Sequence, residues 1–176
     1  MFSIAAERSL LEVLFLDVTM LTVLAPDGQE FERVAIRHPG AVAVVAIDRD
    51  EVLLIRQYRA PVDATLLELP AGKLDVPGED PVRAAIRELE EEVGYTTPTV
   101  DHLTTFFTGP GFTDEVIHLY LATGLEPVEQ RPHGLEEENA EVVRLPLGEI
   151  RGMIASGGIR DAKTILGLQA ALLAGV

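Results

Sequence analysis

Stretches with a two-residue apolar period dominate the chain, broken twice by helical periodicity, and Gly, Pro and Asp mark most of the changes. Residues 11–24 are rich in β-forming side chains with partial alternation, and Pro26-Asp27-Gly28 supplies a turn into a returning strand over 31–37. Pro39-Gly40 breaks the chain before the unbroken apolar run 41–47, whose β-branched content predicts a buried strand. Asp48-Arg49-Asp50 turns it back into 52–58; 61–64 reads as loop, and 66–69 as a short strand ending in Pro70-Ala71-Gly72. Asp80 then has the character of a helix N-cap, with Pro81 at the first helical position, where its missing N–H costs nothing. That helix runs to Val93 and stops at Gly94. Strands follow near 100–107, 116–122 and 141–146, then a short helix over 146–154 and a final amphipathic helix from its cap Asp161 to Leu173. The order predicts an α/β protein: a mixed sheet with helices packed on both faces, an α/β/α sandwich.

Winding the first helix at about 100° per residue puts Val82, Ile86, Leu89 and Val93 on one stripe, the expected core face. Glu88, Glu91 and Glu92 then share the opposite side, flanked by the small Ala84 and Ala85, which leave room for a close approach. Like charges at this spacing repel by a few tenths of a kcal/mol per pair, and Arg87, in reach of Glu90 or Glu91, cannot neutralise them all. A hard divalent cation bound by carboxylate oxygens would turn the repulsion into a site, and Mg2+ suits it because it shares its shell with water and phosphate. The plainer reading of Glu-Glu-Glu alone is a solvated acidic helix face.

Charge and composition narrow the choice. There are 176 residues, enough for one domain with a short arm, 47% hydrophobic and 5% aromatic. Lys and Arg number 14 against 29 Asp and Glu, a net charge of −15, which excludes a generic nucleic-acid binder for want of a basic footprint. No window approaches the roughly 18 apolar residues of a membrane span, and the N-terminus lacks a signal peptide's basic flank and apolar stretch. Without cysteine there are no disulfides, thiolate metal sites or thiol nucleophiles. The expected compartment is the cytoplasm. The four histidines show no metal-ligand spacing.

The stretch from Gly72 to Tyr95 resembles the Nudix box, G-x5-E-x7-R-E-U-x-E-E-x-G-U, where U is bulky and apolar. Gly72 takes the place of the first Gly and Glu79 of the first Glu, and Arg87-Glu88-Leu89-Glu90-Glu91-Glu92-Val93-Gly94-Tyr95 fits the rest. Six residues rather than five separate Gly72 from Glu79, an insertion a loop should absorb. The resemblance implies the Nudix α/β/α sandwich and catalysis that depends on Arg87. It also implies Mg2+, with Mn2+ as a substitute, on Glu88, Glu91, Glu92 and the Ala71 carbonyl.

Outside the box, several segments resemble ADP-ribose pyrophosphatases. They are His38-Pro-Gly-Ala-Val42, Arg56-Gln-Tyr-Arg59, Glu68-Leu-Pro-Ala-Gly72, Gly109-Pro-Gly-Phe-Thr-Asp-Glu115 and Asp161-Ala-Lys-Thr-Ile165, with Pro110 fifteen residues past Tyr95. What this implies is hydrolysis of ADP-ribose to AMP and ribose 5-phosphate, with Arg56, Arg59, Pro110 and Phe112 on the substrate; Phe112 or Tyr58 would stack on adenine. A loop glutamate in the 136–138 cluster would act as base, Glu138 by register against the 141–146 strand and Glu137 next, with Glu91 the competitor. The resemblance also implies a homodimer joined through an N-terminal β region, residues 1–36, ahead of a catalytic domain over 37–176. The rival readings are another nucleoside diphosphate substrate (a nucleotide sugar, FAD, NADH or a dinucleoside polyphosphate), a non-catalytic ADP-ribose-binding module, and a calcium-binding acidic protein, against which no segment fits the alternating-ligand loop.

Overall fold

The computed structural model describes residues 1–175. Its first three strands, β1 (Ser3–Val13), β2 (Leu16–Leu24) and β3 (Glu30–Arg37), form an antiparallel sheet of their own in the order β1-β2-β3. Then come β4 (Ala41–Asp48), β5 (Glu51–Arg59), β6 (Ala64–Glu68), β7 (Ala71–Lys73), α1 (Pro81–Val93), β8 (Tyr95–Thr96), β9 (Thr99–Phe107) and β10 (Val116–Thr123). The chain closes with β11 (Glu126–Pro127), α2 (Leu135–Glu138), β12 (Glu141–Pro146), α3 (Ile150–Ala155) and α4 (Ala162–Leu173). A seven-stranded sheet runs β12-β5-β4-β10-β9, with β6 on β5 and β7 on β4; β4 and β10 are parallel and the other pairs antiparallel.

β4 is the hinge of the sandwich because it is apolar on both faces. Val42, Val44 and Ala46 pack on one side with Ala84, Ala85, Leu89 and Val93 of α1. Ala43, Val45 and Ile47 pack on the other with Leu168 and Ala171 of α4 and with Ile150 at the start of α3. Each fully buried Leu or Val among these contributes about 2 kcal/mol. The expected α/β/α sandwich with a mixed sheet is what forms.

β4 and β5 pair only near their turn, from Asp48–Glu51 to Ala46–Leu53. Beyond that they part: β7 pairs with β4 at Ala41–Ala43, and β6 pairs with β5 at Ile55–Arg59. That parting opens the crevice in which the polar groups gather. Among the described residues no helix is long and apolar enough to cross a membrane.

Three expectations are corrected. The single β-rich stretch 11–24 is instead the end of a long, unforeseen β1 and the whole of β2, because the chain reverses at Leu14, which takes a left-handed φ of 54° with no Gly, Asn or Pro to announce it. On α1 the core face is rotated: Val82 is exposed and Ile86 half-buried, whereas Ala84, Ala85, Glu88 and Glu92 are buried. The small alanines let the helix lie close to β4, and the two glutamates are carried inward with them. The four-residue α2 replaces what read as loop.

Candidate functional site

α1 is fixed at both ends by its own sequence. Asp80 accepts a hydrogen bond from the Val82 N–H at 2.8 Å, Pro81 follows it, and Gly94 closes the helix at a φ of 72°. The helix therefore presents its acidic residues to β7 in one register. Glu92 accepts a hydrogen bond from the Ala71 N–H at 2.7 Å. Glu88 lies against Gly72: a Cβ there would stand 1.9 Å from the Glu88 carboxyl carbon, so only glycine permits the approach.

Arg87 organises the acidic face. It donates to both oxygens of Glu79 at 3.0 Å, to Glu88 at 2.6 Å and to Glu91 at 3.0 Å. The extra residue ahead of Glu79 is absorbed in the 75–78 loop, and Glu79 still reaches its arginine. One guanidinium does not balance the group. Burial pushes Glu88 up to about 7 despite Arg87, with Glu91 and Glu137 adding repulsion. Burial likewise pushes Glu92 up to about 8 against the Ala71 amide, with Glu88 and Glu137 adding. The Arg87 guanidinium is held charged, first by its bond to Glu79.

A loop closes over this face. Gln130 donates to the Glu92 carbonyl at 2.6 Å, the His133 N–H donates to Glu137 at 2.6 Å, and the His133 ring lies 3.3 Å from Glu91. Glu136 and Glu137 line the cavity and Glu138 does not. Each residue along a helix is rotated about 100° from the last, so the helix that aims Glu137 inward turns Glu138 away.

The cavity, about 1230 Å3, extends from these carboxylates toward β5 on one side and β9 on the other. Arg59 lines it and Arg56 does not. Strand alternation separates the two: Arg56 faces outward, 3.4 Å from Glu141, while Arg59 grips the buried Glu68 at 2.9 and 2.8 Å. Lys163 also holds Glu68, and it bonds Asp161 at 3.0 Å. Burial alone would raise the Glu68 carboxyl, but the two cations prevail and keep it at about 2. Asp161 caps α4 through the Thr164 N–H at 2.9 Å, and the Thr164 hydroxyl accepts from the Leu69 N–H at 2.9 Å, so α4 is tied to the strand end beside the cavity.

Pro110 and Phe112 lie off the cavity, and the Phe112 ring is exposed. Their loop is a joint instead. The Phe112 carbonyl accepts from the Ile36 N–H at 2.8 Å, and Asp114 takes Arg37 at 3.0 Å and the His38 N–H at 3.0 Å. Tyr58 points to Asp63, 2.8 Å away, outside the cavity. The aromatic rings that do line the cavity are Phe15, Phe106 and Phe107. Gln57, Glu68, Lys163 and His133 line it too, and none was marked by the sequence. For Gln57, Glu68 and Lys163 a signal existed: each sits in a segment that resembles the pyrophosphatases. A smaller hollow of about 300 Å3 beside the β1–β2 turn holds no comparable cluster.

The donors at α1 fit a hard divalent cation: they are oxygens only, two of them on buried carboxylates whose charge a single arginine does not offset. Among the described residues no three acidic or histidine side chains stand in ready ligand geometry. Arg87 and the Ala71 N–H engage those oxygens here, and binding a cation requires them to be shared or released.

The NUDIX domain matches residues 37–166. The chain is 39% identical over 155 residues to the ADP-ribose pyrophosphatase of Bacillus subtilis (strain 168), covering 88% of this chain and 83% of that protein. It is 44% identical over 145 residues to the methanol dehydrogenase activator of Bacillus methanolicus, covering 82% and 78%. A solved structure of an ADP compounds hydrolase superimposes with a TM-score of 0.82 at 25% identity, covering 97% of this chain and 91% of that one.

Proposed function

The chain belongs to the NUDIX family, and from that premise we propose that it hydrolyses the diphosphate bond of ADP-ribose, giving AMP and ribose 5-phosphate. The observation that carries the reading is the buried pair Glu88 and Glu92, packed on β7 through the missing Cβ of Gly72 and opening on a cavity large enough for a dinucleotide-sized molecule. The relatives named for ADP-ribose and ADP compounds support the substrate.

The divalent metal is Mg2+ in this proposal, with Mn2+ as substitute, held by Glu88, Glu91, Glu92 and the Ala71 carbonyl. When bound, it would neutralise diphosphate charge and make a water molecule acidic enough to attack phosphorus. The chain's own residues do the rest. Glu137 accepts the proton of the attacking water, in place of Glu138, because Glu137 lines the cavity and its charge is felt at Glu88 and Glu92. The His133 N–H orients that carboxylate. Arg87 holds Glu88 and Glu91 together with Glu79, so the carboxylates stay gathered until their oxygens are shared with or released to the cation.

The proposal includes a homodimer joined through the N-terminal sheet ahead of the catalytic domain. Every residue of β1 is exposed, apolar Ile4, Leu10, Leu11 and Val13 among them, a surface that favours a partner. The cytoplasm is the proposed compartment, consistent with a cysteine-free chain.

The test is to incubate the protein and Glu91→Gln with ADP-ribose and Mg2+ and to quantify AMP by chromatography. AMP from the wild type, abolished by EDTA and strongly reduced in the variant, is the expected result. Cleavage of another nucleoside diphosphate but not of ADP-ribose would keep the chemistry and overturn the substrate.

A further inference from the structure

The ends of the cavity differ. Where β4 and β5 part, β5 and β6 carry Gln57, Arg59 and Glu68 to one end. Glu88 and Glu92 lie against β7 in the middle, and Phe106 and Phe107 of β9 stand at the other end. At the first end Arg59 and Lys163 are matched by Glu68 and Asp161, two charges of each sign in one bonded group. That balance leaves little attraction for a further phosphate.

Gln57 stands on the same strand face as Arg59, opposite Leu66 of β6, and is only 3% exposed. Among the described residues its amide takes no part in any side-chain hydrogen bond. Yet none of their buried polar atoms is sealed off without a partner, so the amide meets the open cavity. A nearly buried amide with no protein partner is costly unless water or a ligand satisfies it. It donates and accepts at once, as a hydroxyl does, and so matches a hydroxyl better than an anion. The charge-balanced group beside it and the apolar Leu66 and Leu166 on the same cavity favour a neutral, hydroxyl-bearing ligand.

We infer that Gln57 is a specificity-determining residue that hydrogen-bonds a hydroxyl of the group carried on the far phosphate, so that the cavity selects a sugar over a hydroxyl-free or anionic substituent. The inference rests on the proposed diphosphate hydrolysis and adds the residue that reads the leaving half of the substrate.

The experiment compares ADP-ribose with the ethyl ester of ADP, which keeps the diphosphate diester and replaces the sugar by two carbons. Both are given to the wild type and to Gln57→Met, a substitution of similar length without the amide, and kcat and KM are measured through AMP release. The expected result is a kcat/KM that falls about tenfold more for ADP-ribose than for the ester, chiefly through KM. The ester also reports folding, so Gln57→Leu is measured beside Gln57→Met to separate lost bonding from altered packing. Equal losses on both compounds in both variants, or no loss on ADP-ribose, overturn the inference and leave the function standing. A wild type that releases AMP from neither compound overturns the function and the inference with it.

Discussion

Glu68 and Glu92 both line the cavity and are buried to a similar depth, 1% and 5% exposed, yet Glu68 is held at about 2 and Glu92 is pushed up to about 8. Burial raises both, and Glu92 the more; company decides which way each one ends. Glu68 has a bidentate arginine and a lysine, whereas Glu92 has one backbone N–H and the like charges of Glu88 and Glu137. The first cluster is electrically complete within the chain. The second is left short of positive charge, and that shortage is what a bound cation would meet.

The comparison breaks most visibly at Glu92. Glu92→Gln should cut AMP release from ADP-ribose by about a thousandfold, while thermal melts in EDTA above pH 8, where the wild-type carboxyl is charged, show the variant as stable as the wild type or more so, since a repulsive charge is gone. A large loss of stability would mean that Glu92 is a structural partner like Glu68. The mirror substitution, Glu68→Ala, leaves Arg59 without its partner and Lys163 with Asp161 alone, in a partly buried place, and should cost about 3 kcal/mol in urea unfolding; a cost near zero would erase the distinction.

A smaller effect sharpens the contrast through pH. Glu88 and Glu92 have folded values of about 7 and about 8 against an ordinary 4.5, so their contribution is full below 4.5 and is lost as pH rises through those values. Glu68, at about 2, contributes above 4.5 and loses its share as pH falls toward 2. In EDTA the melting temperature should therefore decline from pH 5 to pH 9, and Mg2+ should flatten the alkaline limb. A decline identical with and without metal would disconnect Glu88 and Glu92 from the cation.

What the sequence disclosed and what it withheld follow the range of the forces involved. Asp80, Pro81 and Gly94 announce α1 because capping is settled within a few residues. β4 is legible because both its faces are apolar. The acidic face was legible as a pattern, but its inward turn depended on how closely Ala84 and Ala85 let the helix meet the sheet. Glu68 and Lys163 stand 95 positions apart, and no local signal joins them. Gln57 looked like one polar residue among several on β5, because an unpaired amide is a property of surroundings that only the folded chain supplies. The choice between Glu137 and Glu138 hung on one turn of a four-residue helix, finer than register against β12 could resolve.

Gly72 carries one more implication, for the gene rather than the protein. Every nucleotide change in a glycine codon that alters the amino acid adds at least a Cβ, and at this position that atom would fall inside the Glu88 carboxyl group. Codon 72 thus has no neutral missense neighbour in this geometry: even alanine requires the Glu88 carboxylate, the free end of its side chain, to move off β7. Gly111, where an added Cβ meets nothing within 4 Å, sets no such limit. Selection should therefore treat two glycine codons as differently as it treats two different amino acids.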